Sequence, residues 1–395
     1  MTSPTVGQDS RVPLLVIARE WGRIGITGFG GPPAHIALLR RLCVERYSWI
    51  DATEFEDGIA ATNLLPGPAS TQLAIYCAWR LRGPVGAIIG GICFIVPGLV
   101  LIVLLSVLFL AAHPPLWVEG AAAGAGAVVP AVAVAAGAAL VRASWRRVEV
   151  RRAPRVRWVV YFIVGLIAGA TVGAYLVLVL LVLGLIEFGF QRDWPAKPPT
   201  AALSVLVPFL VPVGLSVGGL LAITWVALKV GALSYGGGFV IIPLMQHDAV
   251  VTYHWMTNSQ FLDAVALGQV TPGPVVLTVA AVGYAAAGFA GAALATVIAF
   301  APSFLFILFG ASHFDRLRAN RRIQAFLTGA GAAVIGAIIG SAVPLGLALS
   351  QLWQVGILCG GLVWLLAFRR GVVSAIIIAA AIGVTFALLG APLSR

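Results

Sequence analysis

Two cations, Arg23 and Lys229, lie inside apolar segments, where a charge is costly and marks a functional site by default. They stand 206 positions apart, and so do many of the residues around them. Residues 20–72 align with 226–278 without a gap: Gly30-Gly31 falls on Gly236-Gly237, Asp57 on Asp263, and Pro66-Gly67-Pro68 on Pro272-Gly273-Pro274. Each group suits the holding of a small anion. Proline has no amide hydrogen and glycine admits unusual dihedrals, so Pro-Gly-Pro stops a helix. A new helix starting at Pro68 would offer the amides of Ala69, Ser70 and Thr71 at its positive end, with the Ser70 and Thr71 hydroxyls beside them. Pro274, Val275 and Val276 repeat this without hydroxyls. The backbone around Gly30, Gly31, Gly236 and Gly237 could form anion-binding nests, with Gly67 and Gly273 exposing further backbone. Asn63, Gln72 and Gln269 lie close to the breaks and could donate amide hydrogens to an oxyanion, or simply pack. Asp57 and Asp263 precede their breaks by nine residues, about 13 Å along a helix. They read as proton-coupling groups or counter-ions, with structural caps as an equal alternative. His35 is unmatched in the repeat, where Ile241 takes its place, and reads as structural.

The elements that must position these residues belong to a membrane. The 395-residue chain is 60% hydrophobic and 10% charged, with mean hydropathy +1.02, which leaves too little polar surface for a soluble protein. The expected fold class is all-α: a polytopic membrane protein of two inverted-topology repeats with broken, re-entrant helical hairpins. The first repeat covers 1–190. It holds broken segments at Leu14–Leu39 and Glu56–Trp79, then helices at Val85–Ala112, Gly120–Val141, Trp158–Val172 and Ala174–Phe190. Residues 191–219 hold the Gln191–Thr200 linker and an extra membrane helix, Leu203–Gly218; the second repeat covers 220–395. Inversion follows from the loops. Arg40, Arg41 and Arg46 are replaced in the second copy by Gln246, His247 and Thr252, whereas the neutral His113–Val118 becomes a loop with Arg316, Arg318, Arg321 and Arg322. Basic loops stay inside, so the copies are antiparallel. With Arg11, Arg40–Arg46 and Arg80/Arg82 all inside, both broken segments must enter and return, each arm of Glu56–Trp79 spanning roughly 15 Å.

Other classes fit poorly. The net charge is +11, yet only Lys197 and Lys229 are lysine and the arginines cluster beside apolar runs, so no nucleic-acid partner is expected. Cys43, Cys77, Cys93 and Cys359 are scattered without a C-x-x-C, so neither a metal nor a disulfide framework is expected, nor any cofactor. Residues 1–12 do not read as a cleavable leader. No intramembrane set of nucleophile, base or metal ligands supports an enzyme. A scaffold would not require paired breaks and paired cations.

The segments Gly28-Phe29-Gly30-Gly31-Pro32-Pro33-Ala34-His35, Leu64-Leu65-Pro66-Gly67-Pro68 with Gln72, and Arg82-Gly83-Pro84-Val85-Gly86-Ala87 leading to Pro97-Gly98 resemble the chromate ion transporter family. So do Ser234-Tyr235-Gly236-Gly237-Gly238 and Thr271-Pro272-Gly273-Pro274 in the second half. The resemblance implies a two-domain inner-membrane exporter of chromate, with sulfate as a look-alike competitor and protons as a coupling partner. The positive-inside reading puts the N-terminus on the cytoplasmic side, and a homodimer stays open. Residue spacing alone reaches only a small anion and an inverted repeat, worked by alternating access or, as the alternative, by a channel.

Overall fold

The computed structural model describes residues 12–63, 65–111, 113–148, 152–172, 175–190, 219–234, 241–311 and 320–393. Arg11, the Gln191–Thr200 linker, the Leu203–Gly218 segment, Gly236, Gly237, Arg316 and Arg318 lie outside the described residues. Every regular element among the described residues is helical.

Helix α1 (Leu14–Thr27) stops at Gly28, and α2 (Pro32–Arg40) starts with two prolines, whose missing amides cost nothing in a first turn. α2 widens into a π turn at Arg41–Arg46. Asp51 opens α3 (Ala52–Thr62), its carboxylate accepting the Thr53 amide at 2.8 Å; bonds to Thr53 hold that carboxyl below its usual range. α4 (Ala69–Phe109) is two helices: the backbone reverses at Arg82 (φ −145°) and Gly83 (φ 59°). A Cβ on Gly86 would lie 2.3 Å from the Ala78 carbonyl oxygen, so residues 69–81 run back along the stretch after Pro84. The same arm lies against α3, where Gly58 faces the Tyr76 ring, and an Arg80–Glu54 ion pair joins the two arms near their open end. α3 and residues 69–81 are therefore the returning hairpin expected for Glu56–Trp79, each arm roughly 17–20 Å long and too short to span a bilayer.

The second half repeats this geometry. It comprises α8 (Leu220–Leu233), α9 (Ile241–Gln246) with a π turn at His247–Thr252, α10 (Asn258–Val270), a 3-10 turn at Val275–Leu277, and α11 (Thr278–Gly310). α11 reverses at Ala287 and Gly288 (φ 60°), the positions equivalent to Arg82 and Gly83, since one residue drops out of the second copy near position 80 and the register becomes 205 from there on. Ser48 and His254 share a positive φ of 50° and 52°, and the Tyr47–Trp49 and Tyr253–Trp255 rings stack at 4.3 and 4.8 Å.

Beyond these hairpins the halves exchange a helix. α5 (Leu116–Arg147) packs mainly along α14 (Leu352–Leu362) and α15 (Val372–Leu388) of the second half. Its equivalent, α12 (Arg321–Gly340), packs along α6 (Arg152–Thr171) and α7 (Leu176–Gly189) of the first; the short α13 (Ala342–Leu347) follows it. The contacts are backbone-close, as small residues permit in helices with no water to drive them together. A Cβ on Gly124 would lie 2.1 Å from the Ala379 carbonyl oxygen, and one on Gly336 would lie 2.0 Å from that of Phe162. Gln354 of α14 donates to the Ala123 carbonyl at 3.3 Å, and Arg157 grips Glu187 through two bonds of 2.8 and 2.9 Å.

Five helices among the described residues are long and apolar enough to cross a membrane. In the longest, residues 84–109 alone rise about 39 Å, ample for a hydrocarbon core. Val85, Ile88, Ile92, Val96, Val100 and Leu104 form an exposed stripe on it, while Gly86, Gly90, Phe94 and Ile102 are buried on the other side. An outer surface of that kind suits lipid, and the chain is a multi-pass membrane protein. Gly336→Val should destabilise the α6–α12 contact by about 1–3 kcal/mol or more, read as a lower melting temperature in detergent; an unchanged melting temperature would contradict the close approach.

Candidate functional site

The breaks meet in a crossed pattern. The Gly67 amide of the first Pro-Gly-Pro donates to the Ser234 carbonyl of the second half at 2.9 Å. The Gly273 amide of the second Pro-Gly-Pro donates to the Gly28 carbonyl of the first half at 3.1 Å. Under the repeat Gly67 equals Gly273 and Gly28 equals Ser234, so one contact is made twice, as a two-fold relation between the halves requires. Both donors are glycines with positive φ, 121° and 99°, which other residues rarely adopt. A Cβ on Gly67 would also fall 2.4 Å from Gln72 Nε2 and 3.1 Å from Ser303 Oγ. Gly31 (φ 71°) faces Val275 of the opposite tip, and Gly30 (φ 100°) is exposed beside it.

Around this crossing lie buried polar atoms that have no partner. Among the described residues six buried side-chain polar atoms are unpaired, and five are here: Thr71 Oγ1, Gln72 Oε1, Ser234 Oγ, Gln269 Nε2 and Ser303 Oγ. An unpaired buried polar atom costs about 1–3 kcal/mol, so five within a few residues of the tips make this the candidate place for a polar ligand or water. The hydroxyls and the Gln269 amide can donate, while Gln72 uses Nε2 to hold the Pro66 carbonyl at 2.7 Å. Sequence reasoning singled out Thr71, Gln72 and Gln269, named Ser234 only as part of a motif, and missed Ser303. Ser303 follows Pro302, which the repeat pairs with Pro97, so the register held a signal.

One expected donor is corrected. The Thr71 amide turns back to the Pro68 carbonyl at 2.9 Å, leaving Ala69 and Ser70 as the amides with no helical acceptor. Ser70 is buried and its hydroxyl is paired with His35 Nδ1 at 3.1 Å, while His35 Nε2 meets the Gly28 carbonyl at 2.9 Å. Asn63 caps α3, its backbone N–H donating to the Ile59 carbonyl, and is half-buried near the first tip.

The two cations are not equivalent in their surroundings, and the counter-ion of Lys229 is not Asp263. Lys229 has its own counter-ion: Nζ meets Asp248 Oδ2 at 2.5 Å across the arms of the hairpin, and the Trp225 ring lies 5.6 Å away. The position equivalent to Asp248 is Leu42, so Arg23 faces no such carboxylate. Arg23 is exposed and lines a cavity of about 370 Å³ with Arg41, Arg46, Glu20 and Thr27. Glu20 is buried and 4.0 Å from Arg46, and Thr27 adjoins the Gly28 break. A net-positive cavity thus runs from the basic loop to the residue before the crossing. The absence of an acid at 42 is a signal visible only once the hairpin arms are known to face each other.

The two aspartates lie away from the tips. Asp57 is half-buried on α3. Asp263 on α10 faces Gly126 of α5, its Oδ1 3.3 Å from where a Cβ would stand, and borders two cavities of about 180 and 210 Å³. Among the described residues no group of three or more His, Cys, Asp or Glu side chains could hold a metal ion.

The chromate transporter family model matches residues 15–188 and 221–384, the two halves in turn. A chromate transport protein of Cupriavidus metallidurans is 31% identical over 332 residues, covering 82% of this chain and 80% of its own length. A chromate transport protein of Pseudomonas aeruginosa is 33% identical over 330 residues, covering 80% and 77%. A probable chromate transport protein of Synechococcus elongatus is 29% identical over 332 residues, covering 82% of each. No solved structure matches the chain. With both halves matched and the breaks meeting at one polar junction, the chain belongs to the chromate transporter family.

Proposed function

We propose that this protein exports chromate, with sulfate-like oxyanions as competitors, across an inner membrane by alternating access around the crossed tips. The observation that carries this reading is the set of five unpaired buried polar atoms gathered at the crossing. A tetrahedral oxyanion accepts hydrogen bonds on four oxygens. The Thr71, Ser234 and Ser303 hydroxyls, the Gln269 amide and the free helix-start amides are donors of that kind. The names of the relatives support chromate as the anion. The carrier is favoured over a channel because the Gly67–Ser234 and Gly273–Gly28 bonds tie the halves across the site, so that passage requires one side to part at a time.

In this reading the repeats are 1–190 and 220–395, joined through 191–219, with the N-terminus cytoplasmic. Arg23, with Arg41 and Arg46, draws the anion toward Gly30 and Gly31, while Gly67 and Gly273 present the backbone. Gly236 and Gly237, outside the described residues, are the sequence counterparts of Gly30 and Gly31. Lys229 holds its hairpin closed through Asp248 rather than meeting the anion first. Asp57 and Asp263 serve as counter-ions or proton sites away from the tips.

Proteoliposomes with labelled chromate and sulfate, with and without a pH gradient, test this: saturable chromate uptake inhibited by sulfate is expected, and flux that never saturates would favour the channel. Gly67→Ala should lower chromate flux at least about ten-fold, since the new methyl group meets Gln72 and Ser303 and forces the backbone; wild-type flux would remove the crossing from the pathway. Arg23→Ala should raise the chromate KM about ten-fold, an effect that shrinks in high salt, because the field in a basic cleft is screened. Asp248→Asn should destabilise the protein by about 3–5 kcal/mol by leaving Lys229 unpaired, and Lys229→Met with Asp248→Leu should recover most of that in a thermal melt.

A further inference from the structure

The tip of the first half contains one titratable ring, and its two nitrogens touch both sides of the crossing. His35 is fully buried on α2, edge-on to Phe94 at 5.0 Å between ring centroids. Nε2 lies 2.9 Å from the Gly28 carbonyl oxygen, the same oxygen that accepts the Gly273 amide of the other half. A carbonyl only accepts, so Nε2 carries a hydrogen in either charge state. In the neutral ring Nδ1 is then bare and must accept, and the donor 3.1 Å away is the Ser70 hydroxyl. Ser70 is the second residue of α4, next to Thr71 and Gln72, whose side-chain oxygens are unpaired. Its hydrogen is committed to the ring while the ring is neutral.

We propose that His35 is the positioning residue through which a proton sets the affinity of the site for its anion. This rests on the oxyanion site proposed above. When Nδ1 takes up a proton from the surrounding solution, it becomes a donor and Ser70 Oγ becomes its acceptor. The Ser70 hydroxyl keeps its own hydrogen but must turn it away from the ring. That hydrogen becomes a further donor at the start of α4, and the ring adds a positive charge beside it. Both changes favour a bound dianion. By reciprocity the anion raises the proton affinity of the ring, so anion and proton bind together. The second half has no copy of this device: Ile241 stands for His35 and Val276 for Ser70.

The charged and titratable groups on the elements packed against α2 leave the ring to itself. α1 carries Arg19, Glu20 and Arg23; residues 41–46 carry Arg41, Cys43, Glu45 and Arg46; α4 carries Tyr76, Cys77, Arg80, Arg82 and Cys93; and α2 itself ends at Arg40. Glu20 faces Arg46, Glu54 holds Arg80, and Glu45 and Glu56 hold Arg40. Among the described residues none of these groups is bonded to His35, whose polar partners are Ser70 and Gly28. The Pro272–Leu277 segment of the facing tip contains no titratable side chain.

The test is equilibrium binding of sulfate and of chromate to the purified full-length protein in detergent, measured from acid to alkaline pH. Wild type should bind more tightly as pH falls, by up to about ten-fold per pH unit for one linked proton. His35→Gln should flatten this dependence. Ser70→Ala should lose affinity chiefly on the acid side, so that the pH dependence shrinks; it keeps the proposal testable where His35→Gln does not fold. A wild-type slope in His35→Gln, or a Ser70→Ala affinity reduced by the same factor at every pH, overturns the role of His35 and leaves the oxyanion site standing. Failure of wild type to bind either oxyanion at any pH overturns the site, and this role with it.

Discussion

The structure depends on two backbone hydrogen bonds that each half makes for the other. A chain interrupted at Pro66-Gly67-Pro68 exposes peptide groups that a membrane-spanning chain must satisfy internally or from a water-filled cavity. Neither half bonds its own Pro-Gly-Pro glycine amide. Gly67 finds its acceptor at Ser234 and Gly273 finds its acceptor at Gly28, each in the opposite repeat. The short hairpin arms, the reversals at Gly83 and Gly288, and the close approach of Gly98 to the Pro272 carbonyl all serve to bring these four segments to one place.

The frame is duplicated, but its lining is not. Ser70, Thr71 and Gln72 of the first tip correspond to Val276, Leu277 and Thr278 of the second. Ser303 reaches the first tip, whereas Gly98, its equivalent, presents only backbone to the second. The cations diverge in the same sense, one sealed by Asp248 and one left open beside Arg41 and Arg46. Two-fold symmetry therefore governs how the chain is held, and side-chain chemistry is concentrated on one side of the axis. The alternating access proposed above would tolerate this, because the same groups would face each side of the membrane in turn and need not be present twice.

Much of this was legible in the sequence. The paired Pro-Gly-Pro breaks announced the tips, and the alternating arginine loops announced that Glu56–Trp79 returns, which α3 and residues 69–81 do. Gly83 and Gly288 were visible as a repeat pair, and the boundary placed before Val85 falls within two residues of the reversal. The site was legible only in part. Gln72, Thr71 and Gln269 sit beside the breaks and could be named by proximity in the chain. Ser303 and Asp248 act across folded distances, on Gly67 and Lys229, and local spacing does not encode which arm faces which. His35 read as structural because its copy is Ile241. Its significance comes from Ser70, 35 residues away, which no periodicity connects to it.

The exchange of α5 and α12 between the repeats bears on how the protein is made. α5 emerges early in synthesis, yet the surfaces it packs against, α14 and α15, are the last helices of the chain. Gln354 reaches Ala123 across 231 residues of sequence. Until α14 and α15 are made, the glycine- and alanine-rich face of α5 that they cover lacks those partners. α12, by contrast, arrives to find α6 and α7 already in place. Completion of the fold is thus tied to completion of the chain: a product truncated before α14 leaves α5 without the two helices it packs along most extensively.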